Sequence, residues 1–271
     1  MNRKLNKTIA FLGAGNMAEA LICAVLKGKL FRKQRIIATD VQVSRCIEIS
    51  RKYGIITIAD NKQAVNNADI IVLAVKPQQI ESLLNEVAPF IRKKSLVISI
   101  AAGITIRYIE RRLKGVPVIR TMPNTPVLVG AGLIAMSAGS KATSSHLRIT
   151  EELFSPSARM IVLPEASLNA VTAISGSGPA YMFRIAEILE SAAITLGLGR
   201  DVAATLARQT IYGAGTMLHN LETPACELRK NVTSPGGTTE AALKYLDKCG
   251  LENILSQAVI LACNRAQELS N

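Results

Sequence analysis

The sequence predicts two domains, an α/β domain built on a mostly parallel β-sheet and an all-α domain that follows it. Short β-branched runs alternate with segments of helical period over Thr8–Val162. Over Leu168–Gln267 no strand pattern occurs, and Ala, Leu, Ile and Glu recur every three or four residues. We therefore predict a first domain at residues 1–163 and a second at residues 164–271.

The predicted strands are short runs of β-branched residues bounded by turn residues. They are Thr8–Leu12, Ile36–Thr39, Ile55–Ile58, Ile70–Val75, Leu96–Ile100, Val116–Arg120, Leu133–Ser137 and Met160–Leu163. Helical patterns separate the first five, which is typical of βαβ units in a parallel sheet. Shorter connections separate the last three, and we expect these strands to extend the same sheet at its far edge.

The composition indicates a folded globular protein. The chain has 271 residues, of which 49% are hydrophobic, enough to bury a large core. The net charge of +12 comes from Lys and Arg residues spread through every segment, with only short runs such as Arg92–Lys94. Because nucleic-acid-binding surfaces concentrate basic residues in stripes, we interpret the charge as a solvated surface and expect no nucleic-acid partner.

Neither a membrane segment nor a metal site is predicted. No stretch reaches the roughly 18 uninterrupted apolar residues of a membrane span, and the apolar run at Thr8–Leu12 is too short for a signal sequence. We therefore expect a cytoplasmic protein with no membrane partner. The five cysteines are scattered and form no CxxC pair, so we expect reduced thiols and no bound metal.

A glycine-rich loop follows the first predicted strand. The segment Gly13–Ala18 fits the pattern G-x-G-x-x-A and precedes a predicted helix at Met17–Leu26. Gly13 permits a tight turn, Gly15 lets backbone N–H groups approach a pyrophosphate, and Ala18 lets helix and strand pack closely. A structural glycine turn is the alternative. The order of strand, loop, helix and second strand favours a Rossmann unit that binds a dinucleotide.

Asp40 follows the second predicted strand, where Rossmann proteins place an acidic side chain. A carboxylate there accepts hydrogen bonds from the ribose hydroxyls of NADH and repels the 2′-phosphate of NADPH. Thr39, Arg45 and the basic surface can nevertheless accommodate a phosphate, so these residues leave both coenzymes open. The alternative interpretation of Asp40 is a helix N-cap, a position for which Asp is a preferred residue.

Two further strand ends are expected at the same edge of the sheet, at Ala74–Pro77 and Ser99–Gly103. Ligands bind at the carboxyl ends of the strands in open α/β sheets, and small residues allow a close backbone approach. Both segments are also compatible with ordinary turns. Lys76 is a candidate proton donor or, taken alone, a surface lysine beside a proline.

A hydroxyl-rich segment, Asn231–Glu240, interrupts the helical patterns of the second half. Gly236 and Gly237 can present consecutive backbone N–H groups. Thr238 and Thr239 add hydroxyls at the start of a helix, where the helix dipole favours an anion. The segment therefore predicts a carboxylate-binding loop. An elaborate helix cap is the alternative, because Ser or Thr before Glu is a common cap.

Motifs along the whole chain carry a resemblance to a known family. They are Phe11–Met17, Ala74–Pro77, Arg120–Pro126, Ser175–Tyr181 and Ser234–Thr239. In this order and spacing the chain resembles the Δ1-pyrroline-5-carboxylate reductases, which complete proline biosynthesis. These motifs together are far more specific than the glycine loop alone.

The resemblance implies an N-terminal Rossmann domain that binds NAD(P)H and a C-terminal all-α dimerisation domain. It implies NADPH as the hydride donor, with NADH as the alternative. It also implies a homodimer, with a decamer as a further assembly, and an active site between the two domains. The expected reaction is hydride transfer to the cyclic imine Δ1-pyrroline-5-carboxylate, which gives L-proline.

The expected site residues combine the glycine loop and Asp40 with positions that match the family motifs. The expected cofactor-binding residues are Leu12, Gly13, Ala14, Gly15, Asn16, Met17, Thr39, Asp40, Asn61, Ala74, Val75, Lys76, Pro77, Ala101, Ala102 and Asn231. The expected substrate-binding residues are Ser234, Gly237, Thr238, Thr239 and Glu165. Thr239 is also the predicted catalytic residue, because its hydroxyl would hydrogen-bond the ring nitrogen of the substrate.

Two other functions fit parts of the sequence. A β-hydroxyacid dehydrogenase needs a lysine four residues after a G-x-G at the start of the second domain. Here Gly176–Gly178 is followed by Pro179–Met182, and the next lysine is Lys230. A nucleotide sensor would keep the Rossmann half alone, and it has no need of a substrate loop such as Ser234–Thr239. Both alternatives are therefore disfavoured.

Overall fold

The computed structural model describes residues 6–270 and contains one eight-stranded sheet, flanked and followed by helices. The strands are β1 (Ile9–Leu12), β2 (Ile36–Thr39), β3 (Ile56–Ile58), β4 (Ile70–Leu73), β5 (Leu96–Ser99), β6 (Val118–Pro123), β7 (Gly132–Ala138) and β8 (Ala158–Val162). The first helices are α1 (Asn16–Lys27), α2 (Val43–Tyr53), α3 (Asn61–Asn66), α4 (Ile80–Val87), α5 (Ile106–Arg112) and α6 (Ser144–Phe154). The later helices are α7 (Leu168–Val171), α8 (Gly178–Thr195), α9 (Arg200–Asn220), α10 (Ala225–Asn231), α11 (Thr238–Lys248) and α12 (Leu251–Glu268).

The sheet has the strand order β3-β2-β1-β4-β5-β6-β7-β8. The strands from β3 to β6 are parallel; β7 pairs antiparallel with β6, and β8 runs parallel to β7. The predicted mostly parallel α/β fold followed by helices is confirmed. The last two strands do extend the sheet at its far edge, in the reversed direction.

Each predicted strand is present, but several predicted ends are wrong. The predicted ends at Val75 and Ile100 lie beyond β4 and β5, because these strands pair with neighbours and stop with them. In β4 the last pair is Leu73 with Leu12, the final residue of β1. β6 starts later than predicted and runs on to Pro123, since its antiparallel pairing with β7 continues there.

Helices cover both faces of the sheet. All four residues of β1, β4 and β5 are buried, as expected for parallel strands packed on two sides. One apolar cluster joins the sheet to α1 and α6, with Leu21 and Phe154 fully buried in it. The other joins it to α3, α4 and α5, with Leu84 and Ile109 fully buried. This two-sided core holds the strand ends in a fixed register.

The register places the glycine-rich loop Gly13–Ala18, called the phosphate loop below, at the point where the strand order reverses. Leu12 lies opposite Thr39 of β2 on one side and Leu73 of β4 on the other. Backbone hydrogen bonds continue just past these ends, from the Gly13 N–H to the Thr39 carbonyl and from the Ala74 N–H to the Leu12 carbonyl. The crevice beside such a switch point is the usual ligand site of doubly wound folds.

Contacts along the chain define two compact units. One contains the residues up to Gly176 together with those from Ala262 onward, and the other is Ser177–Leu261. The last residues of the chain pack within the first unit. Ser270 Oγ lies 3.3 Å from Asn169 Oδ1, and a Cβ built at Gly103 would lie 2.4 Å from the Leu269 carbonyl oxygen. The predicted domain boundary after residue 163 stays a prediction.

The helices of the second unit leave many apolar side chains uncovered. Within the described residues, α8, α10 and α11 contain no fully buried side chain. Many large apolar side chains on these helices and in the turns beside them are exposed, for example 83% at Leu196 and 49% at Leu206. These residues therefore do not form a core within this unit. Across residues 6–270, no helix is long and apolar enough to cross a bilayer, and no group of His, Cys, Asp or Glu side chains is placed to hold a metal ion.

Candidate functional site

The phosphate loop has a backbone shape that only glycine adopts easily. Gly13 has φ +98°, in the left-handed region. A Cβ at this position would lie 2.6 Å from the Ala74 carbonyl oxygen. Gly15 differs, because a Cβ there would meet no atom within 4 Å. Gly13 therefore makes the turn against the sheet, and Gly15 faces open space.

The first turn of α1 supplies an anion-binding end. Gly15 is the N-cap residue of α1, and no side chain of the described residues caps that helix end. The N–H groups of the first turn have no partner within the helix, and the helix dipole adds partial positive charge there. This arrangement suits a pyrophosphate. The observed helix starts one residue before the predicted start at Met17.

A cleft with a volume of about 460 Å³ opens beside this helix end, within the usual size range of ligand sites. It is lined by Gly13, Gly15, Asn16, Thr39, Asp40, Val41, Gln42, Arg45, Ala59, Asn61, Ala74, Val75, Lys76 and Gln79. Nine of these residues belong to the predicted cofactor-binding set. Val41, Gln42, Ala59 and Gln79 were not predicted, although each follows the carboxyl end of a strand.

The remaining predicted residues have other surroundings. Leu12 and Ala14 are fully buried in the strand and loop that support the cleft. Met17 packs against the apolar cluster under α1, and Pro77 begins the short 3₁₀ helix after β4. Their predicted contacts with a cofactor stay predictions.

Asp40 is held at the cleft by two backbone groups. Its Oδ2 accepts a hydrogen bond from the Ala14 N–H at 2.9 Å, and its Oδ1 accepts one from the Gln42 N–H at 2.9 Å. Gln42, and not Asp40, is the N-cap residue of α2. The helix-cap interpretation of Asp40 is therefore wrong. Its carboxylate instead links the phosphate loop to the loop after β2.

Arg45 lies beside Asp40 and has a protein partner at every guanidinium nitrogen. Its Nε donates to the Ala14 carbonyl oxygen at 2.7 Å, and its Nη1 pairs with Glu48 at 2.7 Å. Its Nη2 pairs with Glu19 of α1. These contacts hold the arginine against the phosphate loop, where it also lines the cleft.

Glu19 is the centre of this charged group. Lys52 Nζ pairs with Glu19 Oε1 at 2.8 Å, and the Tyr53 hydroxyl donates to the same oxygen at 2.6 Å. Burial raises the pKa of Glu19, but hydrogen bonds from Lys52, Tyr53 and Arg45 outweigh it and lower the pKa from 4.5 to about 2. Burial and the bond to Glu19 raise the pKa of Tyr53. Glu19 therefore stays ionised and Tyr53 stays protonated over the neutral range.

Asn61 is fixed at the cleft wall by two side chains. Its Oδ1 accepts a hydrogen bond from the buried Thr39 hydroxyl at 2.6 Å, and its Nδ2 donates to Glu86 at 3.2 Å. Asp60 caps the helix α3 by accepting from two backbone N–H groups. Asn61 is thus the first residue of a capped helix that starts at the cleft.

The loop after β5 contains the predicted residues Ala101 and Ala102 and lies at the same edge of the sheet. The Ala101 N–H donates to Ser99 Oγ at 3.3 Å. Gly103 has φ +77° and lies against the Leu269 backbone. Neither alanine lines the cleft beside the phosphate loop. Their contact with a cofactor stays a prediction.

Glu165 has structural partners in this neighbourhood. Its Oε1 accepts from the Ile106 N–H at 2.7 Å and from Arg120 Nη1 at 2.9 Å. Arg120 is almost completely buried, with its side chain 5% exposed, so Glu165 compensates a buried charge. The carboxylate of Glu165 thus links β6 to the start of α5. Its predicted contact with the substrate stays a prediction.

The motif Arg120–Pro126 supports a second motif, Ser175–Tyr181. Asn124 Oδ1 accepts from the Leu133 N–H at 2.9 Å, and Asn124 Nδ2 donates to Ser175 Oγ at 3.0 Å. Ser175 belongs to a π-helical turn at Thr172–Gly176, a rare form that is frequent at functional sites. A hydrogen bond between side chains thus links the first motif to the first residue of the second.

The predicted substrate loop lies in the second unit, between α10 and α11. Gly237 is the N-cap residue of α11, and no side-chain cap is present there among the described residues. Thr238 and Thr239 occupy the first turn, as predicted. Glu240 Oε2 accepts from the Gly236 N–H at 2.9 Å, which lowers the pKa of Glu240. Glu240 thus closes the loop onto its own helix, but no Ser or Thr side chain of the described residues caps α11, and the N–H groups of the first turn remain for an anion.

Asn231 ends α10 and is exposed, as are Ser234 and Thr238. Gly237 and Thr239 are half-buried. The loop is tightened by a hydrogen bond from the Gly237 N–H to the Ser234 carbonyl at 3.0 Å. The second unit therefore carries a compact hydroxyl-rich loop at a free helix N-terminus.

The fold and the cleft together define a Rossmann-type dinucleotide-binding protein with a helical C-terminal half. Two family models match the chain, one over the Rossmann part and one over the helical part. Residues 8–103 match the model described as NADP oxidoreductase, coenzyme F420-dependent. Residues 165–269 match the model described as pyrroline-5-carboxylate reductase dimerisation.

Relatives of similar length narrow this class to one family. A pyrroline-5-carboxylate reductase from Pseudomonas aeruginosa is 39% identical over 264 residues, which cover 97% of this chain and 96% of that protein. The solved structure of a pyrroline-5-carboxylate reductase from Coxiella burnetii has a TM-score of 0.91 and 37% identity, and covers 98% of this chain and 100% of its own. The chain therefore belongs to the pyrroline-5-carboxylate reductase family.

A third relative is similar in structure although less similar in sequence. It is the Plasmodium falciparum pyrroline carboxylate reductase, solved with NADP bound, with a TM-score of 0.89 and 28% identity. The match covers 99% of this chain and 100% of that one. The similarity thus extends through both halves of the molecule.

Proposed function

We propose that this chain reduces Δ1-pyrroline-5-carboxylate to L-proline, the last step of proline biosynthesis, with a reduced nicotinamide dinucleotide as the hydride donor. The observation that carries the proposal is similarity to pyrroline-5-carboxylate reductases over 97% of the chain. The cleft beside the phosphate loop adds a site of suitable size and chemistry. A Rossmann half alone would support only dinucleotide binding.

The first unit would bind the dinucleotide. In this proposal the uncapped N–H groups of α1 bind the pyrophosphate, and Asp40 accepts from the adenosine ribose. Residues Ala74–Pro77 and the Ala101–Ala102 loop, at the ends of β4 and β5, would contact the nicotinamide half. When bound, the dinucleotide supplies the hydride. NADPH differs from NADH in carrying a phosphate on the adenosine 2′-hydroxyl, so among these contacts only the one with Asp40 would differ between the two coenzymes.

The second unit would bind the imine. The free helix N-terminus of α11 suits the substrate carboxylate, because backbone N–H groups and the helix dipole both favour negative charge. Ser234, Gly237 and Thr238 would hold this carboxylate. Thr239 would place its hydroxyl at the ring nitrogen and hold the ring in one orientation.

In this proposal no side chain has to act as a strong acid that protonates the imine. The two histidines lie elsewhere: His146 is in the first turn of α6, and His219 is in the last turn of α9. A cyclic iminium can reach the site already protonated, and its N–H would then donate to the Thr239 hydroxyl. The protein would therefore act mainly by positioning, which is a large source of rate enhancement in bimolecular reactions.

A homodimer formed through the helical half is part of the proposal. The family model that matches residues 165–269 is described as a dimerisation domain. The exposed apolar side chains of α8, α9 and the turn between them, including Phe183 at 64% and Leu196 at 83%, are of the kind that a stable interface buries. Further assembly to a decamer and a cytoplasmic location are predictions from the sequence.

A single assay tests the function. Purified protein is mixed with Δ1-pyrroline-5-carboxylate and either NADPH or NADH, and nicotinamide absorbance is followed while proline is quantified. We expect loss of absorbance matched by proline formation. Dinucleotide binding without turnover would instead indicate a nucleotide sensor. Oxidation of a β-hydroxyacid in the presence of NADP⁺ or NAD⁺, with no imine reduction, would indicate a hydroxyacid dehydrogenase.

A further inference from the structure

We propose that a cavity at the amino-terminal edge of the sheet, lined by Lys7, Lys94 and His146, binds the dianion of inorganic phosphate or of a small phosphate monoester. The cavity has a volume of 280 Å³ and lies in the first unit. It is separate from the cleft beside the phosphate loop, because that cleft opens at the carboxyl ends of the parallel strands. Strands β1, β4 and β5 have four residues each. Roughly 13 Å of sheet therefore separates the two edges.

The polar lining of this cavity comes from elements that are far apart in the sequence. Lys7 precedes β1, Asp69 precedes β4, Lys94 precedes β5, and Ser145 and His146 lie in the first turn of α6. Apolar side chains of β4, β5 and α6 complete the wall. A recess formed by several elements surrounds a ligand on more than one side, which distinguishes it from lysines scattered over a flat surface.

The two lysines bring charges that no carboxylate of the protein neutralises. Neither Lys7 nor Lys94 has an ion pair or a side-chain hydrogen bond within residues 6–270. The carboxylate in the lining, Asp69, has both oxygens occupied. Its Oδ2 accepts from the Thr8 N–H at 2.9 Å, and its Oδ1 pairs with Arg92 Nη2 at 3.1 Å. Because Arg92 compensates Asp69, the cavity keeps the two positive charges of the lysines.

His146 is held so that one ring nitrogen is left to donate. Its Nδ1 accepts a hydrogen bond from the Thr143 N–H at 3.0 Å. The neutral ring therefore carries its proton on Nε2, where it is a donor. Burial and the charge of Lys7 lower the pKa of His146. An anion bound beside Lys7 would oppose that charge and raise the pKa again.

These groups match the charge and the acceptors of a phosphate. The lysine ammonium groups, the Ser145 hydroxyl and the His146 N–H are all donors, and the Ser145 hydroxyl has no protein partner among the described residues. A phosphate monoester presents three strong acceptor oxygens and about 1.5 to 2 negative charges at neutral pH. Two lysines balance such a charge, whereas a single carboxylate would leave one lysine uncompensated. The volume also leaves room for the organic part of a small monoester.

The test follows chemical modification of His146, because a local readout separates this cavity from helix N-termini that also suit anions. Diethylpyrocarbonate acylates neutral imidazole, and the modified peptides of the full-length protein are quantified by mass spectrometry. His219, the other histidine of the chain, reports any change in the reagent itself. Inorganic phosphate and glycerol 3-phosphate are titrated separately, and sodium chloride at equal ionic strength is the salt control.

We expect both phosphates to slow modification of His146 at least about fivefold at saturation, since a bound anion covers the ring and raises its pKa. His219 should not respond. A lower half-saturating concentration of glycerol 3-phosphate would assign the cavity to a phosphorylated metabolite. An equal or higher one would assign it to the free anion.

Three variants test the lysines. Lys7→Gln and Lys94→Gln should each raise the half-saturating concentration of phosphate about tenfold, the order that one hydrogen bond to a charged group contributes. Lys93→Gln is the matched control, because Lys93 is exposed beside Lys94 and does not line the cavity. It should leave the concentration unchanged. The unfolding temperature of each variant without phosphate checks that it is folded.

Equal slowing by sodium chloride would show that salt only screens charges, and would overturn the proposal. It would also be overturned if phosphate left the rate at His146 unchanged, or if Lys7→Gln and Lys94→Gln were protected as well as the unmodified protein. None of these measurements involves the imine or a dinucleotide, so each outcome is independent of the proposed function.

Discussion

Two loops of this chain each contain a glycine with positive φ, but the surroundings of the two glycines are very different. Gly13 and Gly236 both have positive φ, +98° and +70°. A Cβ at Gly13 would collide with the Ala74 carbonyl oxygen at 2.6 Å, whereas one at Gly236 would meet nothing within 4 Å. The phosphate loop is shaped by the sheet beneath it. The Ser234–Thr239 loop is shaped by its own hydrogen bonds and by the helix that follows.

These surroundings predict how each loop responds to a substitution of its glycine. At Gly13, the Ala74 backbone and the Val75 side chain occupy the space that an added Cβ would need. Around Gly236, the added atom reaches open space, and only the backbone preference matters. The first loop should therefore be sensitive in both stability and binding, and the second mainly in substrate recognition.

The largest expected effect comes from Gly13→Ala. Positive φ and the contact with Ala74 together should cost about 3 kcal/mol of stability and at least about a hundredfold in dinucleotide affinity. Thermal unfolding and calorimetric titration with NADH measure the two effects. The matched control is Gly236→Ala, which should cost only about 1 kcal/mol. Equal losses for both variants would mean that packing does not distinguish the loops.

The next largest effect is expected for Glu165→Ala. This change leaves the buried Arg120 without its carboxylate partner and should destabilise the protein by about 3 kcal/mol. Glu165→Gln keeps an acceptor for the Ile106 N–H and should cost less. Unfolding curves give the stabilities, and kcat and KM are measured on both variants. A stable Glu165→Gln protein with a raised KM for the imine would support the predicted substrate contact instead.

Thr239→Ala should affect catalysis without affecting folding. Loss of a hydroxyl at the ring nitrogen should lower kcat/KM for the imine by about tenfold to a hundredfold, or about 1.4 to 2.7 kcal/mol. The unfolding temperature should change little, because Thr239 is only half-buried, in the first turn of α11. Thr239→Ser keeps the hydroxyl and should restore most of the activity. Full activity of Thr239→Ala would exclude the catalytic role.

The smallest expected effect concerns stability at acid pH and the charged group formed by Glu19, Arg45 and Lys52. The pKa of Glu19 falls from 4.5 to about 2 on folding, so ionised Glu19 stabilises the protein above pH 4.5. This contribution is lost as the pH falls from 4.5 towards 2. Glu19→Gln should lower stability at pH 7 by about 1 to 2 kcal/mol, since it removes a partly buried ion pair.

Unfolding measured at several pH values checks the sign of this effect. The gap between the unmodified protein and Glu19→Gln should be widest at pH 7 and should narrow below pH 4.5. Glu48→Gln is the control, because Glu48 is 57% exposed and its pair with Arg45 should contribute less than about 1 kcal/mol. A constant gap over the whole pH range would contradict the role of Glu19.

Local sequence patterns predicted the features that depend on neighbours in the chain. The Gly13–Ala18 loop was recognisable because strand, glycines and helix follow one another, and each predicted strand exists. The ends of β4 and β6 were missed because pairing with other strands sets them. No local sequence pattern shows how far the hydrogen-bonded pairing of two strands continues.

Long-range side-chain contacts account for most of what the sequence did not predict at the site. Arg45 and Glu19 are 26 residues apart, and Arg120 and Glu165 are 45 apart. Charged residues of these types are ordinarily solvated, so nothing in either segment marks them as partners. Val41 and Gln79 were missed for a simpler reason, because the expected residues ended at Asp40 after β2 and at Pro77 after β4, one and two residues too early.

The packing of the last residues against Gly103 and Asn169 bears on how the chain is made. The Ser177–Leu261 unit is, in connectivity, an insertion within the first unit. During synthesis, the loop after β5 can therefore complete its contact with Leu269 only after the residues that follow α12 have been made. Removing or extending the last residues would consequently disturb the conformation of the loop that follows β5.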